Sequence, residues 1–507
     1  MPVSSSATSP DFPTELYNAQ GIERMERLAM DVGGITSMAL MERAGLVTFR
    51  AIQAKRPAAR TLSAVTGSGH NGGDAFVVAR LAHEMGFDVR VYPVAPIESL
   101  TGDALIAYQR FQDAGGETLA FIPEDFEATE ILVDGLFGTG LKRPIESPYW
   151  EVIEAINRYR ARGDQHTVRE RLVVALDLPS GIAADTGEVL GIAVEADMTV
   201  TFIGLKQGLF TGAAPSFTGE VFYDDLDVAP LIRHRTLENA RLLPPKMSLP
   251  RRAKHTHKGH YGHVLVIGGD QGYLGAARLA AEASARVGAG LVTIATKIEH
   301  AGLIALMRPE LMGHGIAVPF ELLALIEKAN VIAVGPGLGQ SPWAQGLFQQ
   351  ALASDLPLIV DADALHLLAQ APFRRDTWVL TPHPGEAGHL LQCTSKVIQQ
   401  DRFGAIDALT ARYGGTIVLK GAGTLIKQDA GMTCVCRLGN PGMATGGMGD
   451  VLTGVIAGLV AQGMGLNEAA QQGVHLHAAA GDLAAHQGER GLLAGDLMPH
   501  LQRLVNT

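Results

Sequence analysis

Gly442-Met-Ala-Thr-Gly-Gly-Met-Gly-Asp450 runs without a break into Val451-Leu-Thr-Gly-Val-Ile-Ala-Gly-Leu-Val460. The apolar residues Val451, Leu452, Val455, Ile456, Leu459 and Val460 recur at helical spacing, which predicts a helix starting at about Gly449–Asp450. Glycines ahead of a helix let the backbone turn its free N–H groups toward one point. With the helix dipole, those groups hold an anion such as a phosphate. Asp450 then puts a carboxylate where negative charge is being gathered. Asp is a good helix cap, so an ordinary turn explains part of the pattern. A base that takes the proton from a hydroxyl attacking a held phosphate explains the glycines and the Asp together.

Upstream of this stretch, strand-like runs end repeatedly in Gly- or Asp-rich loops. His263-Val-Leu-Val-Ile meets Gly268-Gly269, Val331-Ile-Ala-Val meets Gly335-Pro-Gly-Leu-Gly339, and Leu358-Ile-Val meets Asp361-Ala-Asp363. Val379-Leu-Thr meets Pro382-His-Pro-Gly-Glu386, and Thr416-Ile-Val-Leu meets Lys420-Gly-Ala-Gly-Thr424. In a parallel sheet such loops share one edge, where ligands bind. Carboxylates, backbone N–H groups and a lysine on that edge suit a polyphosphate with magnesium.

The first half has the same grammar. Residues 14–45 read as helical. Leu62–Thr66 reads as a strand, Gly67-Ser-Gly-His-Asn-Gly-Gly-Asp74 as a loop, the segment from Ala75 as a helix and Asp88–Tyr92 as the next strand. Gly67, Gly69 and Gly72 fit a dinucleotide-type GxGxxG, a weak signal alone. The second strand of that unit ends in Tyr92-Pro93-Val94, without the acid such sites use to hold a ribose. Asp134, ahead of Gly138-Thr-Gly140, and Asp177 and Ser180 in Asp177-Leu-Pro-Ser-Gly181, also fall at strand ends. Asn71, Asp134 and Ser180 offer an amide oxygen, a carboxylate and a hydroxyl. That hard, weakly charged set suits a monovalent cation better than zinc.

Length and composition bound these readings. At 507 residues the chain exceeds one ordinary core. A net charge of −11 gives no support to nucleic-acid binding. Three cysteines are too few for a disulfide framework and fit a reducing, cytoplasmic setting. No apolar run approaches membrane-spanning length, so no membrane partner is expected. The first residues lack a basic-then-apolar leader pattern and read as a frayed tail. Residues 224–262 carry scattered prolines and a basic patch, which places a joint near 235 and domains at 1–235 and 236–507. His255, His257, His260 and His263 lie in or beside it, at spacings that match no standard metal site.

Two resemblances follow from the motifs. LMERAG at 40–45, GSGHNGGD at 67–74, DGLFGTGL at 134–141, DLPSG at 177–181 and TVTFIGLKQGL at 199–209 resemble the NAD(P)H-hydrate epimerase domain. That resemblance implies potassium on Asn71, Asp134 and Ser180. It implies hydrate contacts from His70, Asn71, Gly72, Gly73 and Asp74, from Gly138, Thr139, Gly140, Leu141 and Lys142, and from Asp177, with Asp177 as acid/base. His70 and Ala75 depart from the family wording, which usually has Asn and Gly there. GGDQGYLGAA, RPELM, GPGLG, DADAL, TPHPGE, VLKGAGT and NPGMATGGMGD, in that order, resemble the ADP- or ATP-dependent NAD(P)H-hydrate dehydratase. This second resemblance implies hydrate contacts from Ala277, Gly337, His383 and Asp450, with Asp450 catalytic. It implies nucleotide contacts from Lys420, Gly421, Ala422, Gly423, Thr424 and Gly449, with magnesium accompanying ADP or ATP.

The fold class implied is α/β in two domains: an N-terminal Rossmann-like three-layer α/β/α domain and a C-terminal ribokinase-like α/β domain. The activity implied is repair of the hydrated nucleotides NADHX and NADPHX, by a homo-oligomer. A small-molecule kinase would share the Gly-Asp loop and stop at a phosphate ester, and TPHPGE and KGAGT weigh against it. A binding scaffold would not need Asp177 or the three cation ligands.

Overall fold

Strands covered on both faces read as unbroken apolar runs, and ILV at 131–133, LVVAL at 172–176 and VIAV at 331–334 are fully buried. The computed structural model describes residues 13–122, 126, 129–163, 171–232, 236–245 and 249–506. The chain divides into two compact units, Met1–Arg241 and Leu242–Thr507. The tail expected over the first residues lies largely outside the described residues, as do residues 233–235 and 246–248 of the expected joint.

In the first unit a six-stranded parallel sheet runs in the order Asp88–Pro93, Thr61–Thr66, Ile131–Gly135, Leu172–Leu176, Met198–Phe202, Glu220–Asp224. Alternate residues of each strand enter different cores. Leu172, Val174 and Leu176 pack with Phe76, Val78 and Phe111 on one face. Val173 and Ala175 pack with Ile153, Ile156 and Tyr159 on the other. Two cores separated by one sheet make the three-layer α/β/α arrangement expected. The helical reading of residues 14–45 resolves into a short strand, Glu15–Tyr17, and helices Ala19–Asp31 and Ser37–Lys55.

One boundary differs in a way that matters. The expected loop ends at Gly69, and the helix starts at His70 and runs to Glu84. Asn71, Gly72, Gly73 and Asp74 therefore form its first turn. Gly72 permits this because a Cβ there would lie 2.1 Å from the Gly67 carbonyl oxygen. The strand end and the helix start are in backbone contact.

The second unit has a sheet ordered Met312–Gly315, Leu291–Thr296, His263–Ile267, Val331–Val334, Leu358–Val360, Trp378–Leu380, Thr416–Leu419, Thr424–Gln428, Thr433–Cys436. The first seven strands are parallel and the last two antiparallel. Helix Met448–Ala461 packs on helix Leu274–Arg286 so closely that a Cβ on Gly454 would lie 2.0 Å from the Ala280 carbonyl oxygen. That fit fixes the start of the helix beside the strand ends. The helix begins one residue before the predicted start, at Met448, capped by Gly447 at φ +92°.

Candidate active sites

In the first unit the strand-end loops and helix Ala19–Asp31 enclose a cavity of about 1130 Å³. His70, Asn71, Asp74, Gly138, Thr139, Gly140, Leu141, Lys142 and Asp177 line it. Gly72 and Gly73 are buried beneath, packed against Gly67 and Met41.

Asp134 and Ser180 lie under the floor, fully buried. Ser180 donates from Oγ to Asp134 Oδ1 at 2.6 Å and from its N–H to Oδ2 at 2.8 Å. Phe137 joins the group, donating its N–H to Ser180 Oγ at 2.9 Å and accepting from Asn71 Nδ2 at 3.1 Å. Asn71, Asp134 and Ser180 thus converge on one backbone segment. Burial pushes the Asp134 carboxyl up to about 6 even though Ser180 and Leu136 hydrogen-bond it. A monovalent cation among these oxygens would offset that burial, so the donor set fits one.

Asp177 carries φ +63° and Ile203 φ +68°. A β-branched residue there is strained, and each is pinned by a sheet bond, Asp177 N–H to Val200 O at 2.7 Å and Ile203 N–H to Asp224 O at 2.9 Å. The bends bring Asp177 onto Lys206, whose side chain is 1 % exposed. Lys206 Nζ donates to Asp177 Oδ1, to Thr201 Oγ1 at 3.1 Å and to Phe202 O at 2.9 Å. Sequence reasoning passed over Lys206, although it sits in the TVTFIGLKQGL motif.

The second site is built around another lysine–aspartate pair. Lys420 Nζ lies 2.7 Å from Asp361 Oδ1 and 3.7 Å from Glu386 Oε2. Thr453 Oγ1, on the helix that begins at Met448, donates to Asp361 Oδ2 at 2.8 Å. Burial pushes the Asp361 carboxyl up, but Lys420, Thr453 and Thr381 outweigh it and the net direction is down. Lys420 moves oppositely: burial lowers it, and Asp361 and Glu386 turn the net direction upward. Asp450 has no such partner. Burial and the nearby Asp361 push its carboxyl up to about 7, against the opposing pull of Lys420.

Gly449 is the closest approach: a Cβ there would sit 3.2 Å from Lys420 Nζ and 3.5 Å from Asp361 Oδ2. His383 caps helix Pro384–Leu391, its Nδ1 accepting from Gly385 N at 2.9 Å, while Glu386 Oε2 accepts from His383 N at 2.7 Å. Gly421 stands at φ +136° beside the buried Arg402, whose guanidinium donates to Leu419 O at 3.1 Å and Lys420 O at 3.3 Å. Thr424 Oγ1 closes that loop on Gly421 O at 2.9 Å, with Ala422 and Gly423 in between.

Ala277 and Gly337 are buried. A Cβ on Gly337, at φ +59°, would meet Tyr273 O at 2.6 Å, so packing alone demands a glycine there. Asp361 and Glu386 were not singled out as site residues from sequence, though both stand in quoted motifs. In the joint, His263 spends both ring nitrogens on Lys328 O at 3.0 Å and Thr293 Oγ1 at 2.7 Å. Among the described residues no group of three or more His, Cys, Asp or Glu is gathered to hold a metal ion.

Two α/β units, each presenting an ion-paired lysine and proton-poised carboxylates on its glycine-rich strand-end loops, define a two-site α/β enzyme. Residues 264–503 match the family described as NAD(P)H-hydrate dehydratase, and residues 37–208 match the family described as YjeF-related protein N-terminus. The chain is 48% identical over 497 residues to the bifunctional NAD(P)H-hydrate repair enzyme of Coxiella burnetii, covering 97% of this chain and 100% of the relative. It is 40% identical over 498 residues to the enzyme of the same name from Escherichia coli, covering 98% and 95%. Among solved structures, an ADP/ATP-dependent NAD(P)H-hydrate dehydratase from Bacillus subtilis, co-crystallized with ATP/Mg2+, is similar at 31% identity and TM-score 0.47, covering 51% of this chain and 94% of that one. The chain belongs to the family of bifunctional NAD(P)H-hydrate repair enzymes.

Proposed function

We propose that residues 1–235 interconvert the R and S forms of hydrated NADH and NADPH, and that residues 236–507 dehydrate the S form at the expense of ADP or ATP. The observation that carries the reading is Asp450, in the first turn of helix Met448–Ala461, beside the Lys420–Asp361 pair and with its carboxyl at about 7. A base with that affinity is half-ionised near neutrality, where proton abstraction is most effective.

The hydrate carries a hydroxyl on the ring carbon next to nitrogen, and hydroxide leaves poorly. Asp450 takes the hydroxyl proton as that oxygen attacks the terminal phosphorus of the nucleotide, and the bond from that phosphorus to its bridging oxygen breaks, releasing AMP from ADP or ADP from ATP. N–H groups at the start of the helix hold the transferring phosphoryl group. Phosphate then departs as the ring-nitrogen lone pair forms the C=N bond, and loss of a proton from the adjacent carbon gives NADH or NADPH. Ala277, Gly337 and His383 frame the hydrate, and Lys420 to Thr424 with Gly449 frame the nucleotide. Magnesium enters with the nucleotide phosphates, which supply most of its ligands.

In the first unit Asn71, Asp134 and Ser180 would hold potassium, which would supply positive charge under the floor of the cavity. Lys142 and the loop before it meet the phosphates of the hydrate, and Asp177, fixed by Lys206, faces the positive charge that develops on the ring when the hydroxyl leaves. We place the protein in the cytoplasm as a homo-oligomer; among the described residues no helix is long and apolar enough to cross a membrane. The test is an absorbance assay for NADH fed with hydrate and either ADP or ATP. The reading expects NADH to accumulate only when a nucleotide is present. Accumulation without nucleotide, or none with it, would overturn it.

A further inference from the structure

Helix Ala19–Asp31 lies outside the strand-end loops, yet it forms a wall of the first cavity. Ile22, Met25 and Ala29 point into the core. Glu23, Glu26 and Met30, on the neighbouring stripe of the helix, line the cavity. The helix is locked in place: Asn18 Oδ1 accepts from Gly21 N at 2.8 Å, and Ala19 N–H donates to Asp185 Oδ1 at 2.6 Å.

The charged groups facing Glu26 come from every element around it. Glu23 shares its helix, His70 lies in the first turn of helix His70–Glu84, Asp177 occupies the strained turn, and Lys206 stands behind Asp177. Asp74, also on the cavity wall, is coupled to the same acids. An ammonium has three protons to give. Lys206 spends all three on Asp177, Thr201 and Phe202. Five carboxyl groups, Glu23, Glu26, Asp74, Asp177 and Asp185, line the cavity with Lys142, Arg143 and Lys206, and Lys206 is committed to Asp177.

We infer that Glu26 is the proton-carrying residue of the first site, protonating the departing hydroxyl of the hydrate and taking a proton back when water returns. This rests on the epimerase reading and names the group that performs it. In the forward step the proton on the Glu26 carboxyl passes to the hydroxyl oxygen and the C6–O bond breaks. The ring-nitrogen lone pair forms the C=N bond, and water leaves. In the return step water adds to the other face of the ring, the C=N electron pair goes back to nitrogen, and the proton lost by that water returns to the Glu26 carboxylate. No oxidant, reductant or nucleotide enters the balance. Asp177 suits the complementary task, since Lys206 fixes its side chain on the cavity wall.

Burial raises the Glu26 carboxyl, and Asp177 raises it further, so it keeps its proton above the ordinary glutamate range. Asp74 is raised well above its ordinary range by burial, with Asp177 and Glu26 adding to it.

The test uses the intact chain, with the R form of hydrated NADH as substrate and ADP or ATP present, so that NADH formation is limited by the first unit. Glu26→Gln keeps the shape and removes the exchangeable proton. The expected result is a fall in kcat for the R form of about 10²–10⁴-fold with KM little changed, the usual scale for losing a general acid. Glu26→Asp, which retains a carboxyl on a shorter arm, should recover a substantial part of that loss. A wild-type thermal melt of the first unit reports that each variant is folded, and dehydration of the S form reports that the second unit is intact. Wild-type kcat in Glu26→Gln, a loss confined to KM, or equal losses in the Gln and Asp variants would overturn the inference. If the wild-type chain fails to convert the R form faster than its spontaneous rate, the epimerase reading itself falls, a failure separate from that of Glu26.

Discussion

The two sites solve related problems with the same parts in different proportions. Each has a lysine paired with an aspartate, Lys206 with Asp177 and Lys420 with Asp361. In each, burial and a neighbouring aspartate hold the proton of a different carboxyl above the usual range, Glu26 in one and Asp450 in the other. The difference lies in what surrounds that carboxyl. Glu26 stands on a cavity wall among other acids, where we infer that it gives a proton. Asp450 stands in the first turn of helix Met448–Ala461, beside the Lys420–Asp361 pair. On the proposed roles, one arrangement of strand-end loops serves as acid or as base according to the element that delivers the carboxyl.

The sharpest way to break this comparison is to neutralise the second spare carboxylate. Asp450→Asn keeps the shape and cannot accept a proton, so dehydration of the S form should fall by about 10²–10⁴-fold, while interconversion of R and S forms, followed by chromatography, continues. Wild-type-like turnover would show that Asp450 is not the base.

A pH profile gives the next largest effect. Because a base works only when ionised and Asp450 titrates at about 7, kcat/KM for dehydration should be flat at higher pH. Below that value it should fall about tenfold per pH unit. A profile that stays level through slightly acid pH would place the essential ionisation elsewhere.

Gly449 tests how closely the nucleotide must approach. A side chain there would press on Lys420 and Asp361. Gly449→Val should therefore raise the nucleotide KM about tenfold, roughly 1.4 kcal/mol, with lower turnover. Unchanged nucleotide dependence would put the phosphates away from this turn. Gly447, at φ +92°, carries the left-handed backbone, so the demand on Gly449 is one of space.

The smallest effect concerns stability. The folded protein holds the Asp450 proton at about 7, against 3.8 for the free side chain. A raised affinity means that the contribution of this group to stability is complete below the lower value and is lost as pH rises through the upper one. Asp450→Asn should therefore melt higher than wild type at pH 8, by about 2–4 °C for each kcal/mol relieved. The two should converge in acid. A lower melting temperature at pH 8 would show that the carboxylate is stabilised where it stands.

Much of this was legible in the chain itself. The helix after Gly449, the strand-end positions of Asp134 and Asp177, and the KGAG turn follow from local rules of glycine, period and strand termini. The start of helix His70–Glu84 was not legible, because two glycines in a first turn argue against a helix until Gly72 is seen packed on the Gly67 carbonyl. Lys206 was hidden because a lysine between apolar residues reads as a solvated side chain. Its burial depends on the positive-φ bends at Asp177 and Ile203. Glu26 carries no motif. Helix Ala19–Asp31 reads as an ordinary amphipathic surface helix, and only the fold shows that one of its polar stripes faces a cavity.

The division of labour between the halves is the central claim, and each unit has its own hydrophobic core on which to fold. The most direct measurement is the fraction of a mixed hydrate pool converted to NADH over time by residues 236–507 alone, with nucleotide, before and after residues 1–235 are added. The account predicts that conversion halts after one epimer and resumes to completion on addition. It also predicts no resumption when the added half carries Asp134→Ala, which removes the charged member of the proposed potassium site. Equal consumption of both epimers by the second half alone, or normal rescue by the Asp134 variant, would contradict it.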